Sequence, residues 1–245
     1  NLLPAAILYK KNILALRGSF RPVTKVNMDM LKKSYDIFVR EPSVDEENAI
    51  VIFEITLSNL KASGEIDEQD FMDRAELLCS LGHTVMISKF QEYFKLVEYF
   101  NNYTKAKIGL TMGVNNLVDI FDEKYYRHLS GGILEAFGKL FFKDLKVYLY
   151  PMKNEETGQI MTSNNVKVHP RMKELYKFFK YNGKVMDIID YDPDILHVFS
   201  RDVLKKIMNG EDGWEDVLPE GISEIIKTKK LFMRKEVEDN TQQEA

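Results

Sequence analysis

The stretch Ala49–Leu57, with the sequence AIVIFEITL, decides the fold class of this chain. It is almost continuously apolar and rich in β-branched residues, and Glu54 is its one charged residue. A strand that is covered on both faces has this composition, whereas a strand with one wet face alternates apolar and polar residues. Because helices cover both faces of parallel sheets, the stretch predicts an inner strand of a parallel α/β sheet.

Segments of strand and helix character alternate on both sides of this stretch. The other strand-like segments are Ile13–Leu16, His83–Ser88, Lys107–Met112 and Leu145–Tyr150. Helical patterns lie between the strands, at Met28–Val39, Asp70–Leu81, Tyr93–Phe100, Asn116–Phe121 and Ile133–Phe141. Five strands separated by helices predict a parallel, five-stranded, Rossmann-like sheet with right-handed crossovers and helices on both faces.

The pattern changes after Pro151, where a polar stretch and further helical segments follow. We expect an α/β domain over residues 1–167, a helical extension packed on it over 168–235, and a disordered tail over 236–245. The chain begins at Asn1 without a methionine. It can therefore be a fragment or a processed product, and its targeting cannot be read from its first residues.

The charge balance limits the kinds of partner. The 245 residues include 34 Lys and Arg and 38 Asp and Glu, which gives a formal net charge of -4 and an isoelectric point near 5.7. Proteins that hold duplex DNA through its phosphates usually carry a basic excess. We therefore expect no polymeric nucleic acid as a partner, whereas a small-molecule nucleotide, which a single loop can bind, stays open.

The cysteine and histidine content argues against several other kinds of site. Cys79 is the single cysteine, so an internal disulfide framework and a cysteine-based zinc cluster are excluded. The four histidines show neither HxxxH nor HExxH spacing, so we expect no protein metal site. The longest apolar runs are far too short to span a bilayer, and a cytoplasmic location is the default expectation.

The loop between the first strand and the first helix carries groups that suit a phosphate. Residues 17–27 read RGSFRPVTKVN. Gly18 lets the backbone approach a ligand closely, and the helix start offers free N–H groups to an anion. Arg17, Arg21 and Lys25 add positive charge. A tight strand-to-helix connection with solvated charges is the alternative that the sequence leaves open.

The same loop resembles a motif of nucleotidyltransferases of the NMN and pantetheine-phosphate adenylyltransferase type. These enzymes carry GxFxPxHxGH after their first strand, with threonine at the first histidine position in some members. The matching positions here hold, in order, Gly18, Phe20, Pro22, Thr24, Val26 and Asn27. Valine therefore replaces the second glycine of the motif, and asparagine replaces its final histidine.

Three further motifs of the family have similar segments in the same order along the chain. They are an arginine-bearing helix, an iGaDnL pattern and an SSTxxR pattern, which resemble Asp73–Leu78, Met112–Leu117 and Thr162–Lys167. Asn115 replaces the aspartate of the second pattern, and Lys167 replaces the arginine of the third. The resemblance covers about residues 13–167 and implies a nucleotidyltransferase fold.

The whole chain also resembles the C-terminal half of longer bacterial proteins, whose labels conflict between adenylyltransferase and TonB-dependent receptor. The alternation of strands and helices favours the first label. An upstream domain of a longer chain, or a second copy of this chain, then stays open as a partner.

The resemblance implies adenylyl transfer, in which a nucleotide phosphate attacks the α-phosphate of ATP in line and pyrophosphate leaves. The catalytic residues that it implies are Thr24, Asn27 and Lys167. The nucleotide-binding residues that it and the local charge pattern indicate are Gly18, Ser19, Phe20, Arg21, Lys25, Gly113, Asn115, Asn116, Thr162 and Ser163. Magnesium would arrive with ATP, so no protein metal cage is implied.

The replacements at Val26 and Asn27 keep three interpretations open. Histidine can donate a charged hydrogen bond to a developing phosphorane, whereas asparagine donates a neutral one of roughly half the strength. The chain can be an enzyme that adenylylates a pyridine mononucleotide, or a non-catalytic nucleotide sensor on the same fold. It can also be a structural or interaction domain of a larger bacterial protein.

Overall fold

The computed structural model describes residues 2–57 and 68–233. Its strands are β1 (Asn12–Arg17), β2 (Ala49–Thr56), β3 (Thr84–Ser88), β4 (Ile108–Gly113), β5 (Lys146–Tyr150), β6 (Met152–Lys153), β7 (Ile160–Met161) and β8 (Val185–Asp187). Strands β6 and β7 form a small antiparallel pair. The other six form one parallel sheet in the order β3-β2-β1-β4-β5-β8. Counted along the sheet strands, this is the Rossmann order 3-2-1-4-5-6.

Helices cover both faces of the sheet. They are α1 (Pro4–Leu8), α2 (Lys25–Phe38), α3 (Glu68–Ser80), α4 (Tyr93–Asn101), α5 (Val114–Ile120), α6 (Gly132–Leu140), α7 (Lys173–Tyr181), α8 (Ser200–Asn209) and α9 (Ile222–Lys229). Among the described residues, no helix is long and apolar enough to cross a membrane.

Strand β1 is the centre of the molecule, and all six of its residues are buried. Ile13 and Ala15 point to one face, where they join a core with residues of α4, α5, α6 and α7. Leu14 and Leu16 point to the other face, where they join a core with residues of α2, α3, α8 and α9. This division follows from the two-residue period of a strand, and it explains why β1 and β2 are apolar on both faces.

The strand order reverses between β1 and β4. From β1 the chain proceeds through β2 to β3 on one side, and it then returns to place β4 on the other side of β1. Ile13 of β1 is aligned with Ile50 of β2 and with Ile108 of β4. The connections that leave β1 and β4 therefore diverge at the carboxyl edge of the sheet, where doubly wound α/β proteins form their ligand crevice.

The sheet has six parallel strands, so the prediction of five was wrong. The sixth strand, β8, lies in a region where the sequence pattern indicated helices only, and Val147 of β5 is aligned with its Val185. It was missed because it has three residues, of which only Val185 is both apolar and buried. Helices α7, α8 and α9 do lie in the predicted helical region. The predicted tail, 236–245, lies outside the described residues.

Candidate functional site

A cavity of about 330 Å³ opens at the carboxyl edge of the sheet, beside the reversal of strand order. Its wall includes Arg17 at the end of β1, Thr56 at the end of β2, Gln91 after β3, and Asn116 on α5. Tyr93, the first residue of α4, and Tyr126 also line the cavity. The cavity thus lies where doubly wound α/β proteins bind their ligands.

Arg17 is held rigidly by a buried ion pair. Its Nε lies 2.5 Å from Glu54 Oε2, and its Nη2 donates to Glu54 Oε1 at 3.1 Å. Nη1 donates to the Gln91 carbonyl at 3.0 Å, and the Ser88 hydroxyl donates to Glu54. The guanidinium also lies 4.3 Å from the centre of the Tyr93 ring. Glu54 has no exposed surface, so water does not solvate its charge. Among the groups named here, Arg17 is the one that carries the balancing positive charge.

Tyr93 and Asn116 form a second polar pair in the cavity wall. The Asn116 side-chain amide donates to the Tyr93 hydroxyl oxygen at 2.7 Å. Burial raises the pKa of Tyr93 to about 12, although the charge of Arg17 and this hydrogen bond act in the opposite direction. Tyr93 therefore keeps its proton at neutral pH, and its hydroxyl can donate a hydrogen bond to a ligand.

Packing explains why the loop after β1 has a glycine at position 18 and a buried aromatic ring at Phe20. The Phe20 ring is buried, and its centre lies 5.1 Å from that of Phe53. A Cβ atom on Gly18 would lie 2.9 Å from the Phe20 ring. Glycine is therefore required here by the neighbouring side chain, and Phe20 itself adopts a positive φ of 47°. Their predicted contact with phosphates stays a prediction.

Arg21 is partnered by α3 rather than by a neighbour in its own loop. Its Nε lies 2.5 Å from Asp70 Oδ1. Arg74 also donates to Asp70, and its Nη1 donates to the carbonyl oxygen of Ser19 at 3.3 Å. Asp70 thus joins the two arginines and ties α3 to the loop. The side chain of Arg21 is 29% exposed, so part of it still faces solvent.

Thr24 and Asn27 cap the N-terminus of α2, with Thr24 as its N-cap residue. Asn27 Oδ1 accepts from the Thr24 backbone N–H at 2.8 Å and from its hydroxyl at 3.1 Å. This is the position that glutamate or glutamine takes in a capping box, so Asn27 stabilises the helix start. Its Oδ1 is consequently engaged, and its amide nitrogen makes no hydrogen bond to a described residue. That nitrogen is the group of Asn27 that a phosphate could meet.

Lys25, Gly113 and Asn115 are accessible at the same edge. Lys25 and Asn115 are exposed, and Lys25 forms no ion pair with any residue that the structure describes. Gly113 ends β4, and a Cβ atom there would meet nothing within 4 Å. Gly113 therefore borders open space beside the strand-order reversal, where a ligand could approach the backbone.

The segment Thr162–Lys167 lies further along the carboxyl edge. The Ser163 N–H and hydroxyl both donate to Asp187 of β8, at 2.8 and 2.6 Å. The Ser163 carbonyl accepts from the Tyr176 hydroxyl at 2.7 Å. Ser163 is thus fixed by its neighbours, three strands from β1 or about 14 Å along the sheet. Thr162 Oγ1 accepts from the Asn164 N–H.

Lys167 is exposed and makes no hydrogen bond or ion pair within residues 2–57 and 68–233. It is therefore able to swing toward an anion at this edge. Its predicted role beside the triphosphate stays a prediction.

Sequence reasoning missed most of the cavity wall. Arg17 and Asn116 were named for phosphate and base contacts, and both line the cavity. Tyr93 fitted the apolar stripe of a helix, so its hydroxyl was not noticed. Glu54 offered the best signal, because a lone carboxylate in a buried strand needs a charged partner nearby.

The fold defines a class before any individual relative is considered. A doubly wound parallel sheet with a crevice at the strand-order reversal is the architecture of Rossmann-like α/β proteins. No protein-family model matches the sequence, and no curated protein matches it. The expected relationship to longer bacterial proteins is thus not confirmed and stays a prediction.

Two solved structures are similar in fold to this chain. Both are of nicotinic acid mononucleotide adenylyltransferase from Plasmodium falciparum. The complex with APC is 14% identical with a TM-score of 0.51, and the complex with NaAD is 12% identical with a TM-score of 0.53. In both cases the likeness covers 91% of this chain and 97% of the other. At this identity the likeness shows the fold, which agrees with the fold that the sequence motifs implied.

Proposed function

We propose that this chain binds ATP and a pyridine mononucleotide at the carboxyl edge of its sheet, and that it transfers AMP between them slowly or not at all. One observation carries the proposal. Arg17 lines the cavity beside the strand-order reversal, and the same residue ends β1, directly before the loop that leads to α2. The pyridine ring of the mononucleotide in the cavity and the phosphates of ATP at the start of α2 would then be neighbours. The fold of the two adenylyltransferase structures supports the same placement.

The phosphates of ATP would lie at the start of α2. This helix has 14 residues, and its N-terminus offers free N–H groups and a partial positive charge. Exposed Lys25 would add a full charge, with Ser19 and Arg21 at the rim. Lys167 would reach the triphosphate from the opposite side, and Gly113 and Asn115 would border the base. Thr162 and Ser163 would support Lys167 rather than bind phosphate themselves.

Slow transfer follows from Asn27. Its Oδ1 is engaged by Thr24, so only a neutral amide N–H is left for the α-phosphate. The loss of a key donor to a developing oxyanion typically costs about 10²–10³ in rate. Mg²⁺ would enter on the phosphates of ATP with most of its water ligands. In the described part of the chain, no group of three or more His, Cys, Asp or Glu side chains could hold a metal ion.

Calorimetry with ATP and Mg²⁺, with nicotinamide mononucleotide and with nicotinic acid mononucleotide tests binding, and a pyrophosphate-release assay tests transfer. We expect ATP and one of the mononucleotides to bind. Lys25→Ala should weaken ATP binding about tenfold, a loss of about 1.4 kcal/mol. Lys32→Ala is the matched control, because Lys32 is also exposed on α2 but lies two turns further on. If no nucleotide binds, or both variants weaken ATP equally, the proposal is wrong.

Full adenylyltransferase activity is the second candidate, and the near-complete coverage of the two adenylyltransferase structures favours it. The double variant Val26→Gly, Asn27→His restores the motif of the resembling family. If the native chain releases pyrophosphate at a rate that this variant does not exceed, Asn27 is a competent catalytic group and the second candidate is correct. A rise of about 10² in the variant supports the proposal of a weakened transferase.

A further inference from the structure

Strand β3 forms one edge of the parallel sheet. Among the described residues it pairs with β2 alone. The Ser88 carbonyl accepts from the Leu57 N–H, so the backbone groups of Ser88 face β2. Because alternate residues of a strand direct their backbone groups to opposite edges, Val85 and Ile87 direct their N–H and C=O groups outward. No other described backbone group bonds to these outward groups.

The edge lacks the features that usually prevent edge-to-edge pairing. The residues of β3, Thr84–Ser88, read TVMIS and include neither a charged residue nor a proline. Proteins commonly protect an exposed edge with lysine, proline or a bulge. Here the side chain of Ile87 is 46% exposed instead. The edge is therefore able to accept another strand.

An apolar groove runs along the same edge. Its volume is about 530 Å³, and helix α1 lies on one side of it. The apolar side chains that line it include Leu2, Ile7, Met86, Ile87 and Tyr99. Contiguous apolar surface of this kind marks an interaction site in a protein that is otherwise rich in surface charge.

The residue order of β3 is nearly the same in both directions. If a second copy pairs antiparallel about a two-fold axis at Met86, Val85 lies opposite Ile87 and Thr84 lies opposite Ser88 of that copy. Each residue then meets one of its own kind, which is a favourable cross-strand arrangement. In this register Val85 and Ile87 form the hydrogen-bonded pairs, so their outward groups would make four hydrogen bonds between the chains.

The two faces of the sheet also match in this arrangement. Met86 packs on the face that holds Ile7 and Tyr99, and Val85 packs on the opposite face. A two-fold axis perpendicular to the sheet joins each face to the same face of the second copy. The two apolar grooves would therefore meet around Met86 and cover each other.

Charge does not oppose this pairing. His83 and Lys89 flank β3, and the two-fold axis places each opposite the other in the second copy. Burial lowers the pKa of His83, so His83 is neutral at pH 7 and does not repel Lys89. A different partner would need a strand that matches this pattern, whereas a second copy supplies the match by symmetry.

We propose that two copies of this chain associate through antiparallel pairing of β3, with Met86 at the two-fold axis, so that their six-stranded sheets become one continuous sheet. The proposal does not depend on nucleotide binding. In an antiparallel pair the carboxyl edges of the two sheets point in opposite directions, so both cavities beside Arg17 stay accessible.

Sedimentation velocity of the full chain at increasing concentration tests the association. We expect the mass to rise from 28.5 kDa toward twice that value. Ile87→Lys should weaken association at least tenfold, on the order of 1.4 kcal/mol, because a lysine would face Val85 of the second copy. Since the backbone groups of Ile87 point away from β2, this variant should fold, and circular dichroism checks it.

Leu134→Lys is the matched control for Ile87→Lys. Leu134 is 67% exposed on α6 and lies outside the groove, so the same chemical change there should leave association as it is. A monomer at every concentration up to about 1 mM, or equal weakening by both variants, would overturn the proposal.

Cysteine cross-linking tests the register. Opposite residues of a non-hydrogen-bonded antiparallel pair have Cα atoms about 4.5 Å apart, a distance that a disulfide spans. Met86→Cys should therefore cross-link to its own copy on oxidation, in a Cys79→Ser background. Ile87→Cys in the same background is the control, because its two copies would lie about 8 Å apart, too far for a disulfide.

The control is stringent because Ile87 is more exposed than Met86, so random collisions would favour Ile87→Cys. A cross-link in Met86→Cys and none in Ile87→Cys supports the two-fold register. A stronger cross-link in Ile87→Cys, or none in either variant, would overturn it. A groove that another part of the same chain covers would give a monomer and no cross-link, and it would overturn the proposal as well.

Discussion

Replacing Glu54 by alanine should destabilise the fold severely. The Glu54 side chain has no exposed surface, and the Arg17 side chain is 5% exposed. Two hydrogen bonds join them, at 2.5 and 3.1 Å, and Ser88 donates a third to the same carboxylate. Alanine would leave a buried guanidinium without its counter-charge, and breaking a buried pair in this way typically costs about 3–5 kcal/mol.

Urea unfolding and thermal unfolding, both followed by the fluorescence of Trp214, measure this loss as a free energy and as a melting temperature. Trp214 is the single tryptophan and is buried, so its emission reports unfolding. For a chain of this size we expect the melting temperature to fall by roughly 6–20 °C, because each kcal/mol shifts it by about 2–4 °C. The Arg17→Met, Glu54→Leu double variant should recover most of the stability, since it removes both charges together.

A surface ion pair provides the control for this experiment. Arg201 and Glu155 are 2.8 Å apart, and both side chains are more than half exposed. Glu155→Ala should therefore cost less than about 1 kcal/mol. If Glu54→Ala costs no more than Glu155→Ala, or if the double variant is no more stable than the single one, the buried pair does not have the energetic role described above.

Three further variants test other parts of the site. Gly18→Ala should lose about 1–3 kcal/mol of unfolding free energy, because its Cβ would lie 2.9 Å from the Phe20 ring. Asn27→Ala should lose about 1 kcal/mol with the acceptor that begins α2. Burial acts to raise the pKa of Glu41, but the hydrogen bond from Lys146 and nearby positive charge outweigh it and hold that pKa below its ordinary value of 4.5. Ionised Glu41 therefore stabilises the fold above about pH 4.5, and this contribution is lost as pH falls through the lowered pKa, so Glu41→Gln should flatten the acid side of the stability profile.

Each of these variants has an outcome that would count against its explanation. Wild-type stability in Gly18→Ala would mean that the Phe20 ring yields easily and that packing does not require glycine. Asn27→Asp keeps the acceptor, so it should stay near wild type, and a loss equal to that of Asn27→Ala would exclude the capping role. A stability profile for Glu41→Gln that falls in acid as steeply as that of the native chain would contradict the pH linkage.

The sequence could predict the strands that form the middle of the sheet, because each is a run of apolar residues between turn signals. Ala49–Leu57 corresponds to β2, and Leu145–Tyr150 corresponds to β5. Strand β8 could not be found in the same way. Its three residues follow the amphipathic α7 and Gly183, and its pairing with β5 depends on a contact far away in the chain.

The candidate site was predicted only in its outline. The loop after β1 was located correctly, but the sequence could not show that Phe20 packs over Gly18 or that Asp70 holds Arg21. These contacts join residues that are close in space through the fold, and local patterns carry no signal for them. Glu54 is the exception, since a charge inside an apolar strand indicates a buried partner even without coordinates.

The central claim is that a nucleotide occupies the carboxyl edge of the sheet between β1 and β4. Backbone amide shifts in an NMR titration with ATP and Mg²⁺ test it most directly. The largest changes are predicted at Gly18, Ser19, Lys25 and Gly113, with small changes along the edge strand β3. Changes confined to β3 and α1, or none at saturating ATP, would contradict the claim.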